Sequence, residues 1–360
     1  MAKIYDASLI GKKQSVVDEI LLLNPHQTPL LSLLGFSEAV TQTTHQWFED
    51  EMIADESTVA GAVTNVATSV VVASAEPFRV GHVVKIGDEL LLVTAIAGTT
   101  LTVTRGYAGT TAAAIADAAK IEVQFVEGQE GADVRGARYK ARVSKSNKTQ
   151  IFDDAVEISG TAAAVQQYGI GDLYEYEKQK KQVELALQLE KALINGIQYE
   201  NGQIRQMKGI RQFIQSNVTN VNGALTLDAV TNLGQSIYEA GGFATGGDYK
   251  VIVGAKQKRK LSALDTNKVQ IGRSENSRGE VVDTLINDFG QFEIALNNNL
   301  AADELLFVDT NRMAIRPLVG REFFHKFMGD KGDYTVGMLV GEYTLEFKQE
   351  KAHGRLKGLN

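Results

Sequence analysis

Five histidines, His26, His45, His82, His325 and His353, are the side chains of this sequence best placed to move protons or bind a metal near neutral pH. No two lie close enough along the chain to form a spaced motif such as H-E-x-x-H, which leaves only a cluster assembled by the fold. The acid pairs Asp153-Asp154 and Asp303-Glu304 are adjacent, so on a strand each pair points to opposite faces and is poorly placed for shared acid/base work. "YGIGDLYEY" begins like a dinucleotide-binding turn but has Tyr174 where the third glycine belongs, and it reads as the start of a helix. "GGFATGGD", 241–248, lacks the lysine and hydroxyl of a phosphate loop and reads as a loop at a helix end. "DTNKVQIG" and "DTNRMAIR" do not place ligands as a calcium loop requires. There is no G-x-S-x-G elbow and no cysteine, hence no thiolate chemistry. The expectation is a protein that is not an enzyme and carries no cofactor or metal.

Composition agrees with a folded, soluble chain: 360 residues, 44% apolar and 22% charged, long enough for two or three domains. The first residues have no apolar signal core, and no window approaches a membrane span. A net charge of −7 opposes a tight grip on duplex nucleic acid, so DNA is expected only as a weak contact.

The elements fall into five stretches. Residues 1–40 read as an arm: "SVVDEILLL" stops at Asn24-Pro25, and "TPLLSLLG" restarts a helix with Thr28 as N-cap, Pro29 at the first position and Gly35 past its end. Two short apolar helices in succession need an outside surface. Next, His45 to Glu56 holds five acids and no Lys or Arg, while Arg135 to Lys148 holds six Lys and Arg and no acid. Opposite charges favour an antiparallel ribbon between them, with Arg138, Lys140 and Arg142 on one face and Tyr139, Ala141 and Val143 on the other. A solvated charged face explains the basic strand as well as an interface does; a nucleic-acid groove would need more aromatic platforms than Tyr139 alone.

Between the ribbon's halves, 61–128 alternates short apolar runs with glycine turns, including a hairpin at Gly87-Asp88, and reads as a small sandwich or barrel whose ends lie close together. A long helix follows over 173–195, capped by Asp172 and closed by Gly196. Glu177, Lys181, Glu184, Gln188 and Lys191 gather on its wet side, with Glu177 and Lys181 at i, i+4, and Val183, Ala186, Leu187, Leu193 and Ile194 on its apolar side. Residues 226–300 mix helix and strand in an α+β or α/β order, with the first helix capped by Thr226 and closed by Gly241. Near the end, Tyr343, Leu345 and Phe347 alternate with Thr344, Glu346 and Lys348 as in a half-buried strand.

Taken in order, "TPLLSLLG", "THQWFEDE", "NKTQIFDDAVEISGT", "EKQKKQVELALQLEKALINGIQ", "KGIRQFI" and "VGEYTLEFKQEKAHGRLKGL" resemble the major capsid proteins of tailed bacteriophages, over nearly everything outside 61–128. The resemblance implies an α+β, Hong Kong 97-like fold plus a small all-β inserted domain. It would divide the chain into an N-terminal arm (1–42), E-loop arms (43–60 and 129–152), the insert (61–128), a P-domain (153–225 and 305–360) with spine helix 173–195, and an A-domain (226–304). It further implies self-assembly into hexamers and pentamers of an icosahedral head around double-stranded DNA, a virion location after synthesis in the host cytoplasm, and portal, scaffolding or decoration proteins as partners. Trp47, Glu49, Glu51, Arg138, Lys140 and Arg142 of the E-loop would make the contacts between subunits. An encapsulin-like compartment, a glycan-binding surface protein built on the insert, and a hydrolase with an unrecognised site are the alternatives. The glycan reading has only Phe78, Tyr107 and Phe125 as aromatics in the insert.

Overall fold

The computed structural model describes residues 28–128, 130–131, 138–165, 170–243, 247–264, 271–275 and 281–360. The expected helix "SVVDEILLL", Arg135, His26 and most of "DTNKVQIG" lie outside them. The chain divides into two compact units, 48–143 and the remainder.

In the larger unit, the sheet that organises the chain is built on one long strand, Tyr334–Phe347. Gln150–Ser159 pairs with it antiparallel along one edge, from Tyr334↔Ser159 to Tyr343↔Gln150. Phe324–Asp330 and then Met313–Pro317 pair along the other. The helix Leu173–Asn195 packs on this sheet, and Leu185, Leu189, Leu193 and Ile194 join Phe152, Val156, Leu339, Leu345 and Phe347 in one core. Asp172 caps it as the sequence indicates, accepting from the Tyr174 and Glu175 amides at 2.9 and 3.2 Å.

Three details of this helix differ from expectation. Val183 is 39% exposed, and burial centres instead on Leu185 and Leu189, because the sheet contacts a narrower stripe. Lys181 pairs with Asp154 on the neighbouring strand and with Glu184 rather than with Glu177. Gly196 has φ −55°, not a left-handed cap. Its need for glycine is steric, since a Cβ there would sit 2.5 Å from the Ala192 carbonyl oxygen and 2.6 Å from that of Met207.

A seven-stranded mixed sheet with its own core forms the rest of this unit, in the order Val218–Gly223, Gly354–Leu359, Leu305–Asp309, Tyr249–Val253, Gly290–Leu296, Val281–Asn287, Ile271–Glu275. The helix Leu227–Glu239 covers it through Val230, Leu233 and Ile237, and Thr226 caps that helix on the Ala229 amide at 3.2 Å. Gly241, with φ +82°, closes it.

In the smaller unit, Glu56–Thr58, Lys120–Val126, His82–Ile86, Glu89–Ala97, Thr100–Thr104 and Ser69–Val71 form a six-stranded antiparallel sheet in that order. Its two edges meet: the Ala60 amide donates to the Val71 carbonyl and that of Ala73 to Thr58, both at 2.8 Å, closing a barrel. The first strand starts before residue 61, inside the stretch read as acidic arm. Gly87, at φ +60°, makes the tight turn between Ile86 and Glu89. Glu89 and Arg105, 2% and 7% exposed, lock the barrel: Arg105 Nε lies 2.7 Å and Nη2 2.8 Å from the Glu89 oxygens. The same guanidinium donates to the carbonyls of Thr64, Ala67 and Ala113.

Candidate assembly surface

The surface begins where the amino-terminal segment meets the long helix. Pro29–Leu34 is a six-residue helix, too short to hold itself in water. Thr28 makes no side-chain cap, contrary to the sequence reading. Glu190, fully buried on the long helix, caps it instead, its two oxygens each accepting at 2.9 Å, from the Leu30 and Leu31 amides. Asn297 Nδ2 donates to the same carboxylate at 2.6 Å. Burial raises the Glu190 pKa, against the pull of these three neutral donors. Leu30 is 1% exposed in the core, and Phe36 and Val40 bridge to Ile315 and Leu318. The expectation that this helix needs an outside surface is therefore corrected for Leu30 and Val40, which the chain's own body buries, while Leu33 and Phe36 stay 36% and 57% exposed.

The far end of the long strand presents a second departure. Of the expected polar face only Lys348 is exposed; Thr344 and Glu346 are buried, at 0% and 3% exposure, as is Glu342 before them at 2%. The cover comes from segments distant in sequence. Thr149 Oγ1 donates to Glu342 at 2.5 Å, Arg205 and Arg321 pair with it at 2.9 and 2.8 Å, and Thr344 donates to the Lys148 carbonyl. Glu346 takes His45 Nε2 at 2.8 Å, Lys348 Nζ at 2.6 Å and Arg316. Burial pushes the Glu346 pKa up, but hydrogen bonds from His45, Lys348 and Arg316 outweigh it and hold the group at about 2.

From this base a two-stranded ribbon leaves, Thr44–Glu49 paired with Val143–Lys148. As one strand advances its partners recede: Thr43 faces Thr149, Asp50 pairs with Arg142 at 3.2 Å, and Glu51 pairs with Lys140 at 3.3 Å, an antiparallel course. The opposite charges do meet, yet residues 138–142 are not a strand, and Arg138, Tyr139, Ala141, Arg142 and Val143 are all exposed, so the expected two-faced alternation there is absent. The strand begins only at Val143 because the ladder partner Thr44–Glu49 ends opposite it.

The six residues assigned to subunit contacts separate accordingly. Trp47, 6% exposed, packs on Phe213 with ring centroids 6.0 Å apart, and so roots the ribbon in its own core rather than facing a neighbour. Arg138 donates to the Pro77 carbonyl at 2.8 Å. Glu51, Lys140 and Arg142 form exposed ion pairs of the kind that adds little stability, and Glu49 is half-buried on the ribbon. What the sequence reading passed over is the apolar content of the limb, with Phe48 73%, Met52 92% and Tyr139 84% exposed. These three large apolar side chains stay exposed on the limb.

Among the described residues, no three histidine, aspartate or glutamate side chains are grouped to hold a metal. His45 serves Glu346, His325 lies 2.8 Å from the Tyr174 hydroxyl, and His82 lies 2.9 Å from Arg79 Nε. His353 is fully buried, accepting the Asp309 amide at 3.1 Å, and burial lowers its pKa to about 3. In the barrel, Phe78 is core, which removes one of three aromatics from a glycan surface.

The described chain thus combines a long helix packed on one sheet, a second sheet with its own core, a small barrel, and an extended limb carrying exposed apolar residues. Solved shell proteins share the fold. The cyanophage A-1(L) capsid chain is 10% identical, with 97% of each chain covered and a TM-score of 0.56. That of Mycobacterium phage Adephagia is 11% identical, with 99% of this chain and 98% of that one covered, at 0.54. The capsid of a native GTA particle is 10% identical, with 99% and 98% covered, at 0.50. No curated protein sequence matches the chain. Residues 3–360 match the family model "SU10 major capsid protein", and the chain belongs to that family. It is a phage major capsid protein, a component of the virion shell, which is assembled from many copies. No helix among the described residues is long and apolar enough to cross a membrane.

Proposed function

We propose that this chain forms the hexamers and pentamers of an icosahedral phage head around double-stranded DNA, and that the limb around residues 48–52 and 138–143 lies on the adjacent copy. In that scheme the limb is the E-loop, the long-helix sheet the P-domain and the seven-stranded sheet the A-domain, with the barrel as an insert near the E-loop tip. The work is assembly, not turnover. Portal, scaffolding or decoration proteins complete the particle, and DNA is touched weakly by a chain of net charge −7.

The exposure of Phe48, Met52 and Tyr139 supports this reading, because such area gains about 25 cal/mol per Å² when a neighbour covers it. Contacts of modest strength repeated around a closed shell suffice. The triple variant Phe48→Ser, Met52→Ser, Tyr139→Ser is expected to yield folded subunits that form no shells by negative-stain microscopy. Shells of normal diameter and yield would overturn the limb's role.

A further inference from the structure

The helix Ala255–Ser262, which follows the strand Tyr249–Val253, carries Lys256, Lys258, Arg259 and Lys260 and no acid. Its buried side is fixed. Gln257 and Leu261 are 0% exposed, Leu261 joins the core of the seven-stranded sheet, and Gln257 Nε2 donates to the Ala302 carbonyl at 2.8 Å and to that of Leu359 at 3.3 Å. Helical spacing, three and four residues apart, then gathers Lys256, Arg259 and Lys260 on the side turned away from the sheet, with Lys256 and Arg259 exposed and Lys260 half-buried. None of these three forms an ion pair among the described residues. The long helix shows the usual balance of a basic face in water: Lys178 pairs with Glu175 at 2.5 Å, Lys180 with Glu177 at 3.7 Å and Lys181 with Glu184 at 2.9 Å. Arg259 and Lys260, in the last turn, suit the helix dipole, but Lys256 does not. A cation in the first turn opposes the dipole, and neither an acid nor a side-chain cap at Gly254 offsets it there.

An uncompensated basic stripe suits an anion whose charges repeat at close spacing. Duplex DNA carries one phosphate charge for about every 1.7 Å of its axis, so a helix about 12 Å long spans roughly seven of them. A chain of net charge −7 repels such a polymer over most of its surface, which confines any contact to local patches of this kind. The stripe holds two ammonium groups and a guanidinium with no aromatic ring among them, a set that grips phosphate without stacking on bases. We propose that the face formed by Lys256, Arg259 and Lys260 lies against the phosphate backbone of the packaged DNA, and that this side of the seven-stranded sheet is turned to the interior of the head. This rests on the reading of the particle as a head enclosing double-stranded DNA.

Two measurements test it. Unassembled full-length subunits are titrated with a short fluorescent duplex of mixed sequence over a range of potassium chloride concentrations. Three phosphate contacts steepen the slope of log affinity against log salt by about 2.7, and the variant Lys256→Gln, Arg259→Gln, Lys260→Gln should lose that increment. Lys326→Gln with Lys331→Gln, which removes two exposed lysines elsewhere on the chain, should leave the slope unchanged. No binding by the parent at low salt, or the parent's slope in the triple variant, overturns the patch. In particles of the parent chain, amine-reactive labelling located by peptide mass spectrometry should spare Lys256 in DNA-filled heads and modify it in emptied ones. Equal labelling in the two overturns the proposal and leaves the shell reading intact. Protection in filled and emptied heads alike assigns the face to a contact between copies and overturns DNA as its partner. Particles that hold no DNA would instead remove the reading of the head itself, and this proposal with it.

Discussion

Glu190→Ala tests whether a single buried carboxylate holds the amino-terminal segment. In the native chain it accepts three hydrogen bonds, from the Leu30 and Leu31 amides and Asn297 Nδ2, all from neutral donors. Stranding three buried donors at about 1–3 kcal/mol each costs about 3–9 kcal/mol, and relief of the carboxylate's own burial offsets part of that, for a net loss of about 3 kcal/mol. The loss falls on docking of the six-residue helix, because the bonds of Ser37 to Ile315 and Val40 to Pro317 lie beyond it and remain. About 3 kcal/mol corresponds to roughly a hundredfold in the opening equilibrium, read as faster hydrogen exchange at Ser32 and Gly35. Glu190→Gln keeps one acceptor and should fall between. Exchange in the alanine variant as slow as in the parent would refute the clasp, and the helix would then be held by Leu30 packing alone.

Three further outcomes follow from other contacts. Arg105→Met leaves Glu89 buried without its cation, and loss of one partner of such a pair costs about 3–5 kcal/mol, so the barrel should lose protease resistance while the Leu173–Asn195 core retains it; an intact barrel would contradict the lock. Acid should destabilise the chain in two ranges. His353, held at about 3 against 6.5 when unfolded, refuses a proton that the unfolded chain accepts, so stability declines as pH falls from 6.5 toward 3; Glu346, held at about 2 against 4.5, adds a loss as pH falls from 4.5 toward 2. His353→Asn should flatten the slope of melting temperature against pH above 4.5, and an unchanged slope there would count against the buried neutral imidazole.

The parts of the fold that were legible in sequence are those whose causes are local. Asp172 and Thr226 cap the helices they precede, and Gly87-Asp88 turns the strands beside it, because each needs only its immediate neighbours. Where partners come from far along the chain, local pattern misled. Thr28 looked like a cap, but the acceptor is Glu190, 160 residues from Leu30. The alternation of Tyr343 to Lys348 suggested a wet face, which Lys348 alone keeps, while His45 and Arg316 converge on Glu346, and Arg205 and Arg321 on Glu342 before it. Trp47 was assigned to subunit contacts through the family resemblance, and nothing nearby in sequence announces Phe213. The charge match between the ribbon's halves pointed to the right pairing but not to its limits, and drew notice away from Phe48 and Met52 beside it.

The most direct test of the account is a cryo-electron-microscopy reconstruction of assembled particles, traced at residues 48–52 and 138–143. It should place Phe48, Met52 and Tyr139 against an adjacent copy, with their exposed area covered. A shell in which those side chains rest on their own subunit, or point into solvent, would contradict it.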